Sequence, residues 1–172
     1  MASLDERVKL LEGLVKGLQG QVTELQDERA IRELLARYGF NADMDRTDAF
    51  VGLYTKDGGI DLGPGDRYMG HDSVRKWIST RPARTDPGVH GKRVHLQGNN
   101  VVCHIKGDEA IVNSYSLPMF LEPPGSPQKY RMSAGVNRWT LKKMGGKWLI
   151  QERWRRELGA PDYRKALDDT PD

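Results

Sequence analysis

Apolar positions recur at three- and four-residue spacings through much of the first third of the chain, and alternate or run together later on. The strongest case is residues 4–26. Val8, Val15 and Val22 repeat every seven residues, and Leu4, Leu11, Leu18 and Leu25 fill the complementary position. That is a heptad with Val at a and Leu at d, the combination that favours two-stranded parallel coiled coils. Gly13, Gly17 and Gly20 each weaken such a helix by roughly 1 kcal/mol relative to alanine, so a partner is expected to stabilise it. Leu10 and Leu14 widen the stripe, which leaves open a helix laid back on its own domain.

From Asp27 the stripe changes. Ile31, Leu34, Leu35, Tyr38 and Ala42 define a helix face that must meet a core, and Asp43 sits where that face ends. A short second helix is expected, capped by Thr47 or Asp48, with Ala49, Phe50, Leu53 and Tyr54 inward; Lys56-Asp57-Gly58-Gly59 would stop it, and Ile60-Asp61-Leu62 would open extended chain. Arg67–Met69 reads as a short strand, and Val74–Ser79 as a helix capped by Asp72 or Ser73. His71 reads as a turn residue, and residues 80–91, with Pro82, Pro87, Gly88 and His90, as a surface loop. Four strands follow, over Val94–Ile105, Ala110–Leu121, Tyr130–Lys142 and Lys147–Arg156, joined as an antiparallel meander. Helices first and strands afterwards give an α+β fold, with helices packed on a curved antiparallel sheet. The division is a coiled-coil or oligomerisation helix over 1–26, a domain over 27–158 and a tail over 159–172, the tail mobile or closing over a pocket.

Composition narrows the function classes. The chain has 172 residues, 30% of them charged, a net charge of +3 and a mean hydropathy of −0.67. No run is long enough to span a bilayer and Val8–Val22 is no signal peptide, so a cytoplasmic location is expected. The basic residues are scattered, which argues against nucleic acid as a partner. Cys103 is the sole cysteine and reads as a small core residue. His90, His95 and His104 lack the spacing of a metal set, and no phosphate-binding glycine loop or G-x-S-x-G is present. Neither metal nor cofactor is expected.

Three stretches carry a family resemblance: Ala30-Ile-Arg-Glu-Leu-Leu-Ala-Arg-Tyr38 with Asp43; Val94-His95 leading to Asn99, Asn100 and Val101; and Gly107-Asp108-Glu-Ala110 with Gly145-Gly-Lys-Trp148-Leu-Ile-Gln-Glu-Arg153. Tyr-x-x-Asp-Gly at Tyr54 and Gly70-His71-Asp72 fall between them. Over about residues 27–156 this order resembles the SnoaL-like proteins of the nuclear-transport-factor-two-like superfamily, whose fold is a cone-shaped α+β barrel. The most similar branch includes scytalone dehydratase, bile-acid 7α-dehydratase and hexachlorocyclohexane dehydrochlorinase. The resemblance implies a catalytic aspartate at Asp43, a catalytic histidine at His95 and an arginine at Arg153. It departs at Ala42, where scytalone dehydratases carry a tyrosine.

A histidine whose tautomer is fixed by an aspartate can move a proton near neutral pH without a cofactor. The expected activity is therefore a lyase of the dehydratase type, or an isomerase or cyclase, on a small apolar cyclic or aromatic compound. Arg153 would hold developing negative charge or a substrate carboxylate or phenolate, and Tyr38, Tyr54 and Tyr115 are the available phenols. A lone histidine at a strand start is more often an edge residue, and Asp43 alone a helix-end residue. Arg153 could equally serve a salt-bridged surface on a face shared with Leu149, Gln151 and Arg155. The rival readings are a non-catalytic ligand-binding or assembly module and the small subunit of a ring-hydroxylating dioxygenase. A homo-oligomer is expected either way, a dimer from the heptads or a trimer from the resemblance.

Overall fold

A computed structural model describes residues 3–80, 92–122 and 124–168. The loop expected over 80–91, with His90, lies beyond Thr80 outside the described residues. One helix, α1 (Leu4–Asp43), runs without interruption for 40 residues. Ser3 caps it in a reciprocal capping box: Glu6 N–H donates to Ser3 Oγ at 3.2 Å, and Ser3 N–H to Glu6 Oε2 at 2.7 Å. Residues 4–26 of it are exposed, and burial begins with Ile31, Leu34, Leu35, Tyr38 and Ala42, the stripe expected from the sequence.

The rest of the chain runs α2 (Thr47–Val51), β1 (Tyr54–Asp61), β2 (Arg67–Met69), α3 (His71–Thr80), β3 (Arg93–Lys106), β4 (Glu109–Leu121), β5 (Tyr130–Met132), β6 (Gly135–Met144), β7 (Lys147–Glu157) and α4 (Lys165–Asp168). The strands form one curled sheet in the order β2-β1-β7-β6-β4-β3, with β5 pairing β4. It wraps as a half-barrel around the buried part of α1, with Tyr38, Phe50, Tyr54, Trp77 and Trp139 at the centre of the core. Among the described residues no helix is long and apolar enough to cross a membrane.

Five expectations need correction. The sheet is mixed, because β1 pairs β7 in parallel. Tyr54 and the stretch Lys56–Gly59 lie inside β1 rather than ending α2. A Cβ on Gly58 would sit 2.5 Å from the Ile150 carbonyl oxygen, and one on Gly59 2.1 Å from that of Tyr68. The glycines therefore admit neighbouring backbones instead of making a turn. The residue preceding α2 is Arg46, with no side-chain cap, and α3 starts at His71, whose Nε2 lies 3.1 Å from the Tyr54 carbonyl oxygen. Finally, the third meander strand is two: β5 and β6 both pair β4.

The described part of the tail, as far as Asp168, lies against the outer face of β6. Arg156 Nε donates to Asp162 Oδ2 at 2.8 Å, and Tyr163, Arg164 and Leu167 border an outer cleft of about 600 Å³ with Tyr115 and Val136. At the other end, Asp27 Oδ1 accepts from Trp148 Nε1 at 2.9 Å and pairs with Lys143 Nζ at 2.7 Å. Burial alone would raise the Asp27 carboxyl pKa, but these two donors outweigh it and hold it below the usual carboxylate range. This clasp fixes the point where α1 leaves the sheet. Asp27→Ala should destabilise the chain by about 1–3 kcal/mol in urea unfolding, because it leaves an indole N–H and an ammonium without their acceptor. An unchanged midpoint would show that the clasp is not needed.

Candidate active site

Asp43 ends α1 and His95 lies near the start of β3, 52 residues apart in sequence. The two meet because Gly39, one turn before Asp43, lets the helix lie directly on the strand: a Cβ there would stand 2.5 Å from the His95 carbonyl oxygen. Asp43 Oδ2 accepts the His95 backbone N–H at 2.8 Å, and Oδ1 makes a short contact with the imidazole Nδ1. One carboxylate thus fixes both the backbone and the ring of the histidine. With Nδ1 engaged, Nε2 is the nitrogen left for proton transfer. Phe120 packs edge-on against the ring, centroids 6.3 Å apart.

A second positioning layer surrounds Asp43. Arg93, buried on the same face of β3, places Nε 3.6 Å from Asp43 Oδ1, while its Nη2 donates to Asp45 Oδ1 at 3.0 Å and to the Ala42 carbonyl. That carbonyl belongs to the last turn of α1, where a cation complements the helix dipole. Asp45 takes a left-handed conformation (φ 54°) just past the helix, the position where the chain turns away.

The remaining polar groups lie along the concave face at alternating positions. Arg153 is 3% exposed and donates Nε to Asn137 Oδ1 at 3.0 Å, Nη1 to the Tyr38 hydroxyl at 2.5 Å and Nη2 to Gln97 Oε1 at 3.1 Å. Its guanidinium carbon is 4.9 Å from the Tyr38 ring and 5.1 Å from that of Trp139. Asn137 Nδ2 donates in turn to Gln97 Oε1 and Ser114 Oγ, and Trp139 Nε1 to Ser114 Oγ. Among the described residues no carboxylate lies within 4.0 Å of Arg153. The Gln97 amide nitrogen is buried without a hydrogen-bond partner among them. Burial pushes the Tyr54 phenol well up, so it remains a donor.

Arg153 reaches this face through a bulge. Leu141 pairs Ile150 and Thr140 pairs Glu152, so Gln151 is an extra residue in β7. Before the bulge Trp148 and Ile150 point inward; after it Arg153 and Arg155 do. The expected common face of Leu149, Gln151, Arg153 and Arg155 is therefore broken, and Gln151 instead meets Thr55 and Asp57. Of the other residues singled out, Tyr38 and Tyr54 are buried beside Arg153, whereas Tyr115 lies on the outer face, 42% exposed. The pattern missed Gly39, Arg93, Gln97, Ser114, Ser116 and Asn137. Their signal was present as polar residues at every second position of β3, β4 and β6, and as a glycine inside a core-facing helix.

His95 is mostly enclosed. Burial, aided by the charges of Arg93 and Arg153, lowers its pKa below the usual 6.5, against the opposing pull of Asp43. The ring is thus neutral at neutral pH and available as a base. The unfolded chain takes up this proton first, so His95 penalises the folded state as pH falls below 6.5. Proton NMR of the folded chain, assigned against His95→Gln, should show the ring titrating below a free histidine. A titration above 6.5 would mean that the aspartate dominates.

A helix packed on a curled, mixed half-barrel sheet is the cone-shaped α+β fold of the nuclear-transport-factor-two-like class. Residues 23–154 match the SnoaL-like domain, and the chain belongs to that family. Among solved structures, an NTF2-like protein with a cystatin-like fold from Novosphingobium aromaticivorans is 24% identical, covering 88% of this chain and 96% of its own, with a TM-score of 0.77. A candidate scytalone dehydratase from the same organism is 20% identical over 80% of this chain and 88% of its own (TM-score 0.67). A Mycobacterium tuberculosis protein of unknown function is 22% identical over 85% and 79%, with a TM-score of 0.67. At these identities the likeness is one of fold. No curated protein matches the chain in sequence.

Proposed function

We propose that the chain is a cofactor-independent lyase of the dehydratase type, or an isomerase using the same proton transfer, acting on a small, mostly apolar cyclic or aromatic compound. The observation that carries this reading is the double contact of Asp43 with the His95 ring and backbone. His95 Nε2 takes a proton from a carbon beside a carbonyl or aromatic ring, and Asp43 stabilises the imidazolium that forms. The electron pair of that C–H bond becomes a double bond as the neighbouring C–O bond breaks. The departing oxygen then receives the proton from His95 and leaves as water. In an isomerisation the proton returns to another carbon.

Negative charge develops meanwhile on the substrate oxygen, and Arg153 with the Tyr38 hydroxyl is the group suited to hold it. A buried cation surrounded by neutral acceptors is costly to keep, and an anionic oxygen arriving during the reaction offsets that cost. The unpartnered Gln97 amide offers that oxygen a further donor. Tyr115, on the outer face, has no part in this scheme.

The test is the pH dependence of kcat/KM, measured on a panel of cyclic β-hydroxy carbonyl and hydroxylated aromatic compounds. The rate should be flat above neutrality and fall at acid pH with an apparent pKa below 6.5, as the base becomes protonated. Recovered substrate should exchange the abstracted hydrogen with D2O. Binding without exchange or turnover across the panel would favour the non-catalytic reading.

A further inference from the structure

We propose that residues 4–25 pair with the same segment of a second copy as a parallel two-stranded coiled coil, with the two half-barrels on the outer sides of the pair. α1 carries two apolar stripes. One, Ile31 to Ala42, is buried in its own domain; the other, Leu4 to Leu25, is exposed, from 43% at Val8 to 73% at Leu4. Counting about 100° per residue, the second stripe is centred roughly 170–180° around the helix from the first. The helix is continuous between them. The exposed seam therefore faces away from the sheet that the same helix packs on, and cannot be covered by folding back. The occupant has to come from another chain.

That chain's chemistry is written in the heptad. With Val8, Val15 and Val22 at a and Leu4, Leu11, Leu18 and Leu25 at d, a parallel partner of identical sequence stacks valine on valine and leucine on leucine through seven layers. An antiparallel partner would oppose valine to leucine at each layer. Arg7 at g faces Glu12 at e of the second copy, and the reverse, while the other e and g positions of these heptads hold no like-charged pair in this register. Gly13, Gly17 and Gly20 fall at f, c and f, on the outer surface, with nothing within 4 Å of a Cβ built on them. They interrupt no layer of the seam. They do make a lone helix of this length marginal, so its folding is tied to pairing.

Light scattering and sedimentation of the full chain should give twice 19.4 kDa. Leu11→Asp with Leu18→Asp should reduce this to a single chain, with the near-UV dichroism of the barrel and its thermal transition retained. A wild-type chain that is monomeric at tens of micromolar, or a three-chain mass, overturns the proposal. So does a double variant that stays dimeric, since association would then use another face. Orientation is read from Leu4→Cys in a Cys103→Ser background, which should cross-link in air as a parallel pair. A dimer that fails to cross-link overturns the parallel arrangement.

Discussion

His95→Ala should lower kcat/KM by about 10²–10⁴-fold, the usual worth of a positioned general base, while leaving the fold intact. The substitution removes the ring but not the backbone N–H that Asp43 also accepts, so the carboxylate keeps its 2.8 Å bond and its neighbour Arg93. Far-UV dichroism and thermal unfolding should therefore change little. Asp43→Asn should separate the two duties of the carboxylate. Its amide oxygen can still accept the His95 N–H, but its NH2 would face Nδ1 and impose the wrong tautomer, so activity should fall with little loss of stability. Retained turnover in His95→Ala would remove the base from the scheme. The fold and the family would be unaffected.

The parts of the structure legible in the sequence are those set by short-range periodicity. Ile31, Leu34, Leu35, Tyr38 and Ala42 announced the buried face of α1 because a helix repeats every 3.6 residues, and alternation placed most of the sheet. The errors share one origin. Local pattern makes Gly58-Gly59 punctuation, but in the fold it opens room for the backbones of β2 and β7, a contact between strands that local pattern does not encode. The bulge at Gln151 likewise shifts the inward set by one residue, and so decides that Arg153 and Arg155, rather than Glu152 and Trp154, continue the inward face of Trp148 and Ile150. The His95–Asp43 pairing spans 52 residues, and periodicity supplied no reason to join them; the family resemblance did.

Gly39 should prove consequential for activity, because it sets the distance between the two halves of the site. Gly39→Ala brings two opposed effects. Helix propensity favours alanine by about 1 kcal/mol at an interior helical position. Against this, the new methyl would stand 2.5 Å from the His95 carbonyl oxygen, a backbone atom that no rotamer change can move. Forcing extra volume into a packed contact costs typically about 1–3 kcal/mol, so the clash should win and the variant should be destabilised; Gly39→Val should be worse. The relief available is for α1 to lift from β3, which draws Asp43 away from His95, and a misplacement of about 1 Å can cost roughly 10²-fold in rate. Activity should thus fall further than the lost stability explains. Gly17→Ala is the matched control: the same propensity gain with open space around the new atom, so its helix should be stabilised. If Gly39→Ala behaved like Gly17→Ala, the helix would not rest on the strand at this distance, and the close approach that joins carboxylate and imidazole would be wrong.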